Sequence, residues 1–150
     1  MSSIAVKILS AAAAALLIAA LPASAQAQTG AVNPAAAKNK VVFQVSDADP
    51  AKWNLALNNA KNVQDDLGAD AVQLEIVVYG PGIGMLKQDS VAGNRVGDAL
   101  KKGVAIVACE ITMTTQKLVK EDMLPNLGYV KAGVVELMKK QQEGYAYIRP

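Results

Sequence analysis

The most constraining feature of this sequence is a repeated switch of hydrophobic period. Short apolar runs rich in β-branched residues alternate with stretches whose apolar residues return every three or four positions. Lys40-Val-Val-Phe-Gln-Val-Ser46 is the first such run, and Ala71–Tyr79 and Val104–Cys109 are the next two. Between the first two, Trp53, Ala56, Leu57, Ala60, Val63 and Leu67 fall on one face of a helix. Strands that alternate with helices form right-handed crossovers, and these place the strands parallel in one sheet. The expected class is therefore α/β.

Local punctuation agrees with that reading. Asp49 is placed to cap the first helix, and Pro50 takes the first helical position, where its missing N–H is harmless. Gly68 supplies the stop. In the second strand Val72, Leu74, Ile76 and Val78 face one way, and Gln73 and Glu75 the other. The polar side is open to water, a neighbouring subunit or a bound group. Gly80-Pro-Gly-Ile-Gly84 reads as a tight loop, and a helix over Asn94–Lys102 follows, ended by Gly103. Val104–Cys109 is wholly apolar, as suits a strand covered on both faces. Thr112 is expected to cap a helix over Met113–Val119. A brief fourth strand is expected at Gly128–Lys131. A last helix spans Gly133–Glu143, with Val134, Leu137, Met138 and Gln141 on one side, and a fifth strand lies at Tyr145–Ile148. In such sheets, sites gather at the C-terminal strand ends. Ser46–Asp49, Gly80–Gly84 and Cys109–Thr115 converge there.

The first residues read differently. Lys7 is the only charge before Lys38, and Ile8–Leu21 is almost purely Ala, Leu and Ile. Pro22 breaks the run, and Ala23-Ser-Ala25 and Ala25-Gln-Ala27 both match a signal peptidase site. The run is short for a membrane span of about 20 residues. Residues 1–27 are expected to be a cleavable signal, cut near Ala25 or Ala27, and 28–39 a flexible leader. That leaves a domain over 40–150 in a periplasmic or secreted protein, with no membrane association after cleavage.

Absences narrow the chemistry. The formal net charge of the whole chain is +2, and aromatics are 4% of residues. A near-neutral surface and few stacking rings argue against nucleic acid as a partner. The chain has no histidine and a single cysteine. This excludes Ser-His-Asp and Cys-His catalysis, His-ligated metals, an intramolecular disulfide and a C-x-x-C pair. No metal or cofactor is expected.

Several segments, taken in order, resemble the DsrE/DsrF-like family. They are Trp53 with Ala56-Leu57, Asn59-Ala-Lys-Asn62, and Val77-Val-Tyr-Gly-Pro-Gly82 with Leu86. In the second half they are Gly103-Val-Ala-Ile-Val-Ala-Cys109, Glu121-Asp-Met-Leu-Pro125, Gly133-Val-Val-Glu-Leu137 and Gln142-Glu-Gly-Tyr-Ala-Tyr-Ile148. The resemblance covers Lys40–Pro150. It implies a three-layer α/β/α domain with a five-stranded, mainly parallel sheet, assembled as a homo-trimer or hexamer. It also implies sulfur carriage as a cysteine persulfide, with Cys109 at the family's cysteine position. The well-understood relay branch is cytoplasmic, whereas this chain carries an export signal.

Cys109 is thus the candidate persulfide carrier. A thiol between a strand end and a helix start lies near unpaired N–H groups, which favour the thiolate. Thr112, with Thr114 and Thr115, is a candidate helper through hydrogen bonds to sulfur. The neighbouring Glu110 opposes thiolate formation unless its side chain points away. The alternative is a buried, inert cysteine that continues the apolar strand, in a non-catalytic oligomeric module that binds a small ligand or protein. Gly80 and Gly82 are candidate ligand-binding positions through backbone N–H groups; their alternative is a plain turn. Asn59 is a candidate ligand-facing amide. Trp53 is read as a core or subunit anchor, Glu75 as an oligomer contact, and Lys139-Lys140 as a solvated helix end. With one cysteine per chain, a persulfide needs an outside thiol or sulfur-donor partner.

Overall fold

The fold begins with β1 (Asn39–Val45), whose last five residues are all buried. The structure is a computed structural model that describes residues 39–150. The expected signal over 1–27, and all but the last residue of the leader over 28–39, lie outside them. After β1 come α1 (Pro50–Leu67), β2 (Val72–Val78), α2 (Gly93–Lys101), β3 (Ala105–Cys109), α3 (Glu110–Thr115), β4 (Gly128–Val130), α4 (Gly133–Gln142) and β5 (Ala146–Ile148). The strands form one sheet in the order β4-β3-β2-β1-β5. Every pairing is parallel.

Register sorts the strand residues into two faces. Phe43 lies opposite Ile76, and Ile76 opposite Ile106. These residues pack with Trp53, Ala56, Leu57 and Ala60 of α1 and Val96 of α2 in a cluster of twenty-one buried residues. On the other face Val42, Val77 and Val107 meet Leu137 of α4, a buried cluster of four. Helices on both faces make the three-layer α/β/α domain.

The α1 start is as expected. Asp49 accepts a hydrogen bond from the Ala51 N–H at 2.8 Å, with Pro50 opening the helix and Gly68 (φ 88°) closing it. Trp53 belongs to the core, and its indole N–H donates to the Asp47 carbonyl at 2.7 Å.

Four local expectations are corrected. Leu67, the last residue of α1, is 45% exposed rather than part of the buried face. Gly80–Leu86 is a run of 3-10 turns rather than a tight loop, and it buries Ile83, Met85 and Leu86 in the main core. Gly82 has a structural reason there: a Cβ would lie 2.7 Å from the Val45 carbonyl oxygen. The third helix starts at Glu110 and ends at Thr115, so Cys109, not Thr112, holds the capping position. It stops because Lys117 turns left-handed (φ 57°), and the Leu118 N–H reaches back to Met113 O at 2.8 Å. Finally, α4 faces the sheet with Gly133, Glu136, Leu137 and Lys140, while Val134 (62% exposed) and Met138 (50%) point outward.

Candidate functional site

Cys109 is the last residue of β3, with extended backbone (φ −80°, ψ 115°) just before α3. Val78 pairs with Ala108, so the next residues, Tyr79 and Cys109, end neighbouring strands at the same rim. Side-chain alternation puts Cys109 on the face covered by α4, with Val107. The side chain is 4% exposed. Its sulfur lies 3.9 Å from the Lys131 carbonyl, which also accepts the Ile111 N–H at 3.1 Å.

Burial is the largest single influence on the thiol and pushes its pKa up. Hydrogen bonds from the Thr112 hydroxyl and from the N–H groups of Thr112, Gly133 and Ile111 outweigh it, and hold the pKa below the ordinary 9.0. Of these, the Ile111 N–H is aimed chiefly at Lys131, so Thr112 and Gly133 carry most of the effect. Thr112 is 9% exposed, and its hydroxyl oxygen accepts the Gly80 N–H at 2.9 Å. Accepting that bond leaves its own proton free to turn toward sulfur. Thr114 and Thr115 do not share this role. Their hydroxyls donate to the Glu110 and Ile111 carbonyls, each at 2.9 Å. Glu110 is exposed to solvent.

The glycine cradle is spent inside the chain. Gly80 donates to Thr112, and Gly82 donates to the Ser46 carbonyl at 3.1 Å. Both N–H groups are thereby engaged within the chain, Gly80 with α3 and Gly82 with the residue after β1. Gly80 still matters to the thiol, because it fixes the Thr112 hydroxyl.

The sequence profile of the DsrE/DsrF-like family matches residues 39–150. This chain belongs to the DsrE/DsrF-like family. Membership relates it to sulfur-relay proteins. Among solved structures it is similar to MTH1491 from Methanobacterium thermoautotrophicum, described as a protein of unknown function. That match has 32% identity and a TM-score of 0.71, and covers 75% of this chain and 99% of that one. It shares its fold with BT1422 from Bacteroides thetaiotaomicron, also of unknown function, at 12% identity and a TM-score of 0.62, over 75% of this chain and 95% of that one. No curated protein matches it.

Other residues of this family member are placed as follows. Asn59 lies about two and a half turns into α1, away from the Cys109 rim; it is Asn54 and Asn58 that accept hydrogen bonds from Arg95. Across the rim, Asp47 pairs with Arg149 at 3.5 Å, and the Tyr147 hydroxyl bonds Gln44. Tyr79 stands between this group and Cys109, its pKa raised chiefly by burial. An open groove of about 780 Å³ between α2 and Leu124–Asn126 does not include Cys109. Among the described residues, no group of His, Cys, Asp or Glu is placed to hold a metal ion.

Sequence reasoning missed two features. One is the cover over the thiol, formed by Lys131–Gly133. The other is an ion cluster beneath α4. Glu75, expected at a subunit contact, is 7% exposed and pairs with Lys140 at 3.2 Å within the chain. Lys140 is correspondingly no solvated helix end, its side chain being 17% exposed. Burial pulls the Lys140 pKa down, but the Glu75 carboxylate outweighs it and raises it. A signal did exist: Glu136 and Lys140 stand one helical turn apart, on the α4 side opposite Val134 and Met138.

Proposed function

We propose that this protein accepts sulfane sulfur on Cys109 and passes it to a partner thiol. The observation that supports this reading is the thiol at the strand end, with hydrogen-bond donors that lower its pKa. The thiolate is the attacking species. With a persulfide donor, Cys109–S⁻ attacks the outer sulfur of RS–SH. A new S–S bond forms, the donor S–S bond breaks, and RS⁻ leaves with its electron pair, giving Cys109–S–SH. The partner thiolate then attacks the outer sulfur and Cys109 leaves as thiolate. The chain has one cysteine, so that second thiol comes from another molecule. If residues 1–27 act as an export signal, the exchange takes place outside the cytoplasm; the N-terminus of the mature protein, sequenced from its native host, tests this.

Mass spectrometry after exposure to a polysulfide tests the chemistry. The expected result is a gain of one sulfur atom, absent from Cys109→Ser. Wild type with no such gain overturns the proposal. One observation favours a second reading, a binding module with an inert thiol: Cys109 is 4% exposed. Alkylation of Cys109 only on unfolding would support that second reading.

A further inference from the structure

The closure of Cys109 depends on one element. Its roof is the Lys131–Gly133 junction between β4 and α4. The Lys131 carbonyl touches the sulfur, and the Gly133 N–H is one of the donors to it. Gly133 lies so close to Tyr79 that a Cβ there would sit 3.0 Å from the tyrosine ring. From this junction α4 crosses the sheet, since β4 and β5 are its opposite edges.

The grip of α4 on the sheet is slight. Among its residues, Gly133 and Leu137 are buried, while Val134, Val135 and Met138 face outward. The remaining inward contact is ionic. Lys140 Nζ lies 3.2 Å from Glu75, 3.7 Å from Glu136 and 3.5 Å from Glu143. Three carboxylates therefore converge on one ammonium group. Glu75 Oε1 is buried with no hydrogen-bond partner. Such a pair is expensive to desolvate, and it holds less firmly than apolar side chains of the same size. An element with few apolar contacts and an imperfect polar one is the first to open locally.

We propose that α4 is a strap that lifts from the sheet to expose Cys109, and that the Glu75–Lys140 contact is its latch. Gly133 and Gly144 (φ 86°) stand at its two ends as joints. Lifting draws the Gly133 N–H off the sulfur and opens the rim from the α4 side, while the Lys131 carbonyl stays on the Ile111 N–H. The strap's purpose rests on the sulfur-carrier reading: a persulfide on Cys109 stays covered until a partner thiol is at hand. Its existence does not rest on that reading.

The test is the rate of Cys109 alkylation by monobromobimane in the native full chain, with amide hydrogen exchange read across α4 and β1. In wild type, alkylation and α4 exchange should share one opening event, more frequent than that of β1. Lys140→Met leaves Glu75 buried without its cation and should raise the alkylation rate about tenfold. Glu75→Leu combined with Lys140→Leu makes the latch apolar and should lower the rate. If Lys140→Met does not fold, the double variant decides alone: an unchanged or faster rate overturns the strap. So does wild-type alkylation that occurs only with global unfolding. Neither readout involves sulfur transfer. Latch-dependent alkylation without persulfidation would sink the carrier and keep the strap; persulfidation with latch-independent alkylation would do the reverse.

Discussion

On one face of the sheet Phe43, Ile76 and Ile106 stand in register at near-complete burial, under two helices. On the other, Val42, Val77 and Val107 meet a single leucine and an ion cluster, under one short helix. Both faces come from the same strands, residue by alternate residue. The first face supplies the apolar burial that stabilises the fold. The second gives up part of that burial, and it carries the cysteine. A domain of this size can leave one side lightly fastened because the other side holds the sheet together.

The largest effect should separate the faces directly. Phe43→Ala on the thick face should cost about 3–5 kcal/mol in urea unfolding, the range for a large buried aromatic. Leu137→Ala on the thin face should cost about 2 kcal/mol, the low end for leucine, because α4 can settle or lift. Equal losses would break the comparison. Thr112→Val comes next, at about 1–2 kcal/mol, because the Gly80 N–H loses its acceptor. The same change should raise the Cys109 pKa, followed by thiolate ultraviolet absorbance, and Thr112→Ser should restore both.

A smaller effect is expected in the pH profile. Glu75 is held above its ordinary pKa of 4.5, chiefly by burial; Lys140 opposes this, and Glu136 and Glu143 add to it. Lys40 and Tyr145 lie beside the cluster, Lys40 Nζ donating to the Glu143 carbonyl at 3.1 Å and Tyr145 stacking under Lys140. A raised carboxyl pKa contributes stability that is complete below pH 4.5 and is lost as pH rises through the raised value. Glu75→Gln should flatten the stability profile across that window; a profile identical to wild type would show that the thin face is not under electrostatic load. The smallest effect concerns Val134, which is 62% exposed. Val134→Ser should change stability by no more than about 0.5 kcal/mol. A larger loss, together with a smaller particle in light scattering, would show that this outward ridge is buried against another copy of the chain.

Much of the thick face was legible in the sequence. The β-branched runs, the Asp49-Pro50 start and the Trp53–Ala60 stripe are local signals, and local signals decide elements of this length. The thin face was read less well. The α4 pattern alone suggested an inward Val134–Leu137–Met138 side, because apolar residues ordinarily seek the core. Leu137 does face inward, but Val134 and Met138 point out, and Lys140 turns in to meet Glu75 on the covered sheet face. Thr112 was named as a helper to Cys109 and as a helix cap; it lies inside α3, where its hydroxyl accepts the Gly80 N–H. Gly80 and Gly82 were read as ligand-binding positions or a plain turn, and their N–H groups bond Thr112 and Ser46 within the chain.

The sequence by itself determined the α/β alternation, the caps of α1, and the position of the single cysteine at the end of the third strand. These depend on side-chain period and on neighbours a few residues away. Only the tertiary structure decided that Lys131 and Gly133 roof the sulfur, that Gly80 holds the Thr112 hydroxyl, and that Lys140 finds Glu75. Each of these joins segments far apart along the chain. The first and last are set by where α4 crosses the sheet and the second by how β2 and β3 end side by side, and no local pattern encodes either.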